Sequence, residues 1–199
     1  MEFHCQFKHY PQPCDPQFYL RPVTVDVMCF TESGNEALAG RLAFDLLDIG
    51  RAEVAGENLY EICDADSAGW EGVYAALFEP EGEYGEIRQD FDFYEPIDHV
   101  LFLYRMVFHP AIRSWQSFIL DHTATLFGYM SALIMWKGMT DLTDKESSDL
   151  GFRIVAGRNL LFRPNMMKNE YSAEDDNRSV MDLVVPEDAG EYVERAWED

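Results

Sequence analysis

Tyr104, Arg105, His109, Arg113 and His122 have side chains that transfer protons or hold anions, and all fall within one stretch, His99–Phe127. A histidine exchanges a proton near neutral pH, and an arginine binds carboxylate or phosphate through a planar fork of donors. Arg105 interrupts the apolar run Val100–Phe108, so it needs an internal carboxylate partner or a cavity to face. His109 precedes Pro110 and reads as a loop histidine before it reads as a base. His122 shares a helical stripe with Trp115, Phe118, Ile119 and Leu126, the pattern of a packed, hydrogen-bonded histidine. Asp64 and Asp66 suit a metal or a carboxylate pair, but a helix-capping turn explains them more simply. His4, Cys5, His9 and Cys14 invite a zinc reading, yet their spacing fits none of the common finger patterns, and no metal is assigned. Neither nucleotide-binding glycine fingerprint is present, nor HExxH, nor GxSxG.

The elements that must position these groups follow from periodicity. Val100–Phe108 reads as a central strand covered on both faces and ended by His109-Pro110. Ser114 is available to cap the helix that follows. Upstream, Pro11, Pro13, Pro16 and Pro22 predict an irregular arm over 1–22. Val23–Phe30 alternates as a first strand, Glu32–Asn35 is a turn, and Arg41–Leu46 alternates as a second strand that continues toward Ile49. Glu57–Cys63 is expected as a third strand. Trp70, Val73, Tyr74, Leu77 and Phe78 predict a helix capped by Asp66 or Ser67 and closed by Pro80, with a long acidic loop after it. Ser131–Trp136 is a neighbouring strand. Gly151–Val155 and Asn159–Arg163 form a hairpin around Ala156-Gly157-Arg158. Asn169–Asn177 has the composition of a disordered segment, and Tyr192, Val193, Ala196 and Trp197 mark a short helix in an acidic tail, 169–199.

Bulk composition narrows the class. At 199 residues and 47% hydrophobic, the chain suits one core-bearing domain. No apolar run is long enough for a membrane span, and Met1–Pro16 lacks the pattern of a signal peptide, so a cytoplasmic location is expected. Four cysteines without a CxxC pair fit reduced thiols. The net charge is −22, but unevenly spread. Asp64–Asp98 carries 11 acids and one base, whereas His99–Lys168 carries five acids and eight bases. The balance argues against nucleic acid as a direct partner, while the central third could receive a small anion.

VFHPAIRSWQSF, the later Leu150-Gly151-Phe152 with RIVAGRNLLFRP, and DADSAGWEGVYAALFE together resemble the GNAT family of acyl-CoA N-acyltransferases over about Asp64–Met166. The resemblance implies an α/β (α+β) fold, a mixed, mostly antiparallel central sheet flanked by helices, occupying 23–168. It also implies a cleft where the central strand splays from its neighbour, and acetyl-CoA as cofactor. On that basis Val107, Phe108, Arg113, Ser114 and Gln116 would meet CoA. Tyr104, His109 and Ser147 are the catalytic candidates. The motif is altered, however. Arg113 keeps the first position of the family's turn, but Gln116 and Phe118 stand where two small residues let backbone approach pyrophosphate. Phe118 reads as helix core. Val107 replaces a proton-relaying glutamate and Ser147 a proton-donating tyrosine.

Two functions follow. One is a catalytically degenerate member of this fold that binds a basic protein through its acidic segments and through Tyr84, Phe91, Phe93, Tyr94, Tyr192 and Trp197 as exposed aromatics. The other is a working acetyl-CoA-dependent N-acetyltransferase on a cationic amine.

Overall fold

The computed structural model describes residues 1–8, 18–80, 85–128, 130–165 and 183–198. Among them, eight strands form one sheet: β1 Glu2–Phe7, β2 Leu20–Thr31, β3 Glu36–Asp48, β4 His99–Phe108, β5 Ser131–Trp136, β6 Arg153–Ile154, β7 Leu160–Pro164 and β8 Val184–Val185. The spatial order is β1-β2-β3-β4-β5-β7-β6, with β8 beside β2. Most neighbours are antiparallel; β4 with β5 and β2 with β8 run parallel. The class is therefore mixed α/β, as expected.

The sheet has a core on each face. Val23, Val25, Val27 and Cys29 are buried while Thr24, Asp26 and Met28 are half-buried, the period of two that the sequence displays. One face packs under α1 Ile49–Ala55, α2 Leu59–Asp66 and α3 Ala68–Leu77. The other packs under α4 Gln116–Thr125 and α5 Asp144–Asp149. The last helix, α6 Ala189–Glu198, lies against β3 and β4.

Several expectations need correcting. The arm expected to be irregular contains β1, whose residues pair with Val23–Met28, and β2 already begins at Leu20. Three of its prolines, Pro11, Pro13 and Pro16, lie outside the described residues. Glu57–Cys63 is helix α2, not a strand. The side chain of Asn58 accepts from Tyr60 and Glu61 N–H at 2.9 and 3.4 Å, and Leu59, Ile62 and Cys63 bury one helical face. The strand before it stops at Asp48, whose carboxylate caps α1 by accepting from the Arg51 N–H. Ser114 does not cap α4. A 3₁₀ turn, Pro110–Trp115, intervenes, and the cap is His109, whose Nδ1 accepts from the Ala111 N–H at 3.2 Å. Phe91 and Phe93 are buried against Phe162, not exposed, and Tyr192 and Trp197 are half-buried. Tyr84 and Asn169–Asn177 lie outside the described residues. By contrast the Ser67 cap of α3, the β6–β7 hairpin over Gly157 (φ +81°) and strand β5 stand as read.

Candidate functional site

β4 positions the site. Its first half, Val100–Leu103, is 0–4% exposed and pairs with β5 as well as β3. Tyr104 then forms a β-bulge, since Leu103 faces Phe44 and Arg105 faces Ala43, leaving Tyr104 without an opposite residue. Pairing with β5 ends at Leu103 and Met135, while β4 runs on to Phe108 beside β3 alone. The expectation of burial on both faces thus fails past the bulge, where Tyr104 is 44% exposed. The two parallel strands part here, and a cavity of about 240 Å³ lies at their divergence.

Met106, Val107 and Phe108 form one wall of it. The Phe108 ring crowds Gly40, where a Cβ would come within 2.5 Å of Phe108 Cδ1 and 3.2 Å of the Val107 carbonyl, so this close approach favours glycine. Arg113 and Gln116 face them, and Thr140, Asp141 and Tyr192 come from the segment after β5 and from α6. Gln116 is buried, and its Nε2 donates to Thr140 Oγ1 at 3.0 Å and to Met106 Sδ at 3.5 Å. One side chain therefore bridges β4 to the chain beyond β5, across the gap between them. Arg113 Nε meets Asp141 Oδ2 at 3.1 Å at the rim, with both side chains exposed. The backbone donors of the turn are used locally: Ala111 N–H on His109 Nδ1, Ile112 N–H on the His109 carbonyl at 3.0 Å, and Gln116 N–H on the Arg113 carbonyl. A turn whose N–H groups are already satisfied is a weak cradle for phosphate.

The structure thus brings Val107, Phe108, Arg113 and Gln116 to one cavity and leaves the catalytic candidates outside its lining. Tyr104 points to the α1–α3 side, with its ring 6.3 Å from Phe102. Burial first, then the nearby Asp45 carboxylate, pushes its phenol above the ordinary range. Accepting from Ala111 N–H commits His109 Nδ1, and the ring stacks edge-on against Tyr192 at 5.1 Å; this is a structural histidine. Ser147 is buried within α5. Ser114 is exposed on the turn. Phe118 is helix core, stacked on His122 at 4.0 Å and edge-on to Trp115, so it does not crowd the cavity. His122 is packed as expected, with Nδ1 3.1 Å from the Phe118 carbonyl.

Sequence reasoning missed Thr140 and Asp141 and assigned Tyr192 to an exposed docking surface instead; all three are remote in sequence from the turn they complete. It also missed Asp45, on the opposite face of the sheet. Its Oδ2 accepts from Trp70 Nε1–H at 3.2 Å, yet burial pushes its pKa up to about 6, with Asp66 adding to the rise and Trp70 opposing it. The charged position within the alternating Arg41–Leu46 run was the available signal. Arg105 resolves in neither expected way. Its guanidinium lies 4.7 Å over the Trp197 ring and donates to the Ala196 carbonyl at 3.4 Å, using α6 as its partner.

Among the described residues, no group of three or more metal-ligating side chains converges, and no helix is long and apolar enough to cross a membrane. Cys5 is exposed, while His9 and Cys14 lie outside the described residues. No family model matches the chain, and neither a curated protein nor a solved structure matches it.

Proposed function

We propose that this chain is a GNAT-like protein that has closed its cofactor cleft with its own side chains and acts by binding a basic protein. The family resemblance is supported by the parting of β4 from β5, by the turn and helix α4 after the long strand, and by Leu150-Gly151-Phe152 leading into the β6–β7 hairpin. One observation carries the loss of acyl transfer: the Gln116 bridge to Met106 and Thr140, with Asp141 on the remaining cation. Pyrophosphate entering here would break a buried amide's hydrogen bonds and meet a carboxylate where it needs donors.

The binding role rests on α1–α3. Glu53, Glu61, Asp64, Asp66 and Glu71 are exposed on this layer. Its Arg51 is drawn aside, 3.9 Å over the Phe18 ring. Such a field steers a cationic protein surface and repels nucleic acid. Calorimetric titration with acetyl-CoA and with CoA tests the closure. No heat and no thermal shift at millimolar ligand are expected. Micromolar binding would instead favour an active acetyl-CoA-dependent N-acetyltransferase on a cationic amine, with Arg113→Ala weakening affinity. A pull-down at low salt that returned no basic protein would refute the binding role.

A further inference from the structure

We propose that β1 is a self-complementary sheet edge through which two copies of this chain pair, antiparallel, with Cys5 on the twofold axis. β1 is the outermost strand, and among the described residues nothing pairs with its far side. The Lys8 N–H donates inward to the Pro22 carbonyl at 3.1 Å, in the register that pairs Phe7 with Val23 and Glu2 with Met28. Because bonding direction alternates along an antiparallel strand, the N–H and C=O of Glu2, His4 and Gln6 also point inward. Those of Phe3, Cys5 and Phe7 point out from the sheet, a row of donors and acceptors that an edge strand offers to another strand.

The side chains select the occupant. Placing Cys5 opposite Cys5 of a second copy sets Phe3 against Phe7 and Phe7 against Phe3, all of them outward-bonding positions. On the other face the same register sets Glu2 opposite Lys8 at both ends, and His4 opposite Gln6. Charges and apolar groups are therefore complementary to their own reversed copy. Moving the register by two residues in either direction loses the Glu2–Lys8 match, and moving it by one sets inward-bonding positions against outward ones. Phe7 is 61% exposed, resting edge-on at 6.2 Å from Phe127, while Phe3 stacks on His122 at 6.1 Å. A second copy would cover both aromatic rings. Residues 1–8 carry one acid and one base in a chain of net charge −22, so this edge escapes the self-repulsion that the rest of the surface imposes. The inference is independent of the cleft.

Light scattering and sedimentation over roughly a thousandfold dilution test it. A reversible species of twice 23.0 kDa is expected. Lys8→Glu should weaken it at least about tenfold, by setting two carboxylates together at each end. Glu2→Lys combined with Lys8→Glu should restore it, while Lys145→Glu, the same charge change on α5, should leave it alone. Opposed residues of this type lie about 5.5 Å apart at Cα, within reach of a disulfide. Mild oxidation of a Cys14→Ser variant should therefore link Cys5 to Cys5. A monomer at every concentration overturns the proposal. So does a dimer that ignores Lys8→Glu, is not rescued by the swap, or does not crosslink at Cys5. Unchanged melting temperatures establish that each variant is folded.

Discussion

The two helical layers of this protein treat charge in opposite ways. On the α4–α5 side three cations are answered within the chain: Arg113 by Asp141, Lys137 by Asp144 at 2.7 Å, and Arg163 of β7 by Asp121 of α4. On the α1–α3 side, Glu53, Glu61, Asp64, Asp66 and Glu71 take part in none of the ion pairs among the described residues. Charges already matched make a layer cohesive and unreceptive, whereas unmatched charges add little to stability and leave a field for something else. The cleft, which the family resemblance marks as the chemical site, belongs to the closed layer.

Breaking the closed layer should have the largest effect. Asp121→Ala removes the carboxylate that meets the buried Arg163 guanidinium, 2% exposed, and a loss of about 3–5 kcal/mol is expected in urea unfolding. An intermediate effect of opposite sign is expected at Asp45, which faces the α1–α3 side but is partly buried. Its folded pKa of about 6 exceeds the unfolded value near 3.8, so the folded state holds the extra proton between those pH values. This contribution to stability is present in full below about pH 4 and declines as pH rises to 6. Asp45→Asn keeps an acceptor for Trp70 and should stabilise the protein at pH 7 by roughly 1–2 kcal/mol, allowing for partial exposure, with little change at pH 4. Unfolding curves across that range would detect it, and equal shifts at both ends would show that Asp45 is not strained. The smallest effect sharpens the contrast. Glu61→Lys with Asp64→Lys should move stability by no more than about 0.5 kcal/mol, while markedly weakening capture of a basic protein at low salt.

Where one element's own residues set its period, the sequence was readable. Val100–Leu103, the stripe from Trp115 to His122, Ser131–Trp136 and the turn at Gly157 all announce themselves locally. Phe118 was recognisable as core because its neighbours at helical spacing are apolar. Glu57–Cys63 is ambiguous because a short apolar run fits either element, and the cap at Asn58 decides for helix. β1 was masked by the prolines that follow it, although Phe3, Cys5 and Phe7 alternate with Glu2, His4 and Gln6. The closure of the cleft was only half legible. Gln116 stood out as wrong for phosphate, but its partners Thr140 and Met106, and the Asp141 beside Arg113, meet only once β4 and β5 diverge. Arg105 posed the right question, and its answer lay in Trp197, across most of the remaining chain.

That answer has a consequence for synthesis. Arg41 bonds Asp26 in the adjacent strand and also Glu194, 153 residues further on, and β8 joins the sheet beside β2. A chain growing from its N-terminus makes β2 and β3 early but must wait for α6 before Arg41 and Arg105 are covered. Until α6 is made, Arg41 has only Asp26 to answer it, and Arg105 lacks the Trp197 ring and the Ala196 carbonyl that cover it in the finished fold.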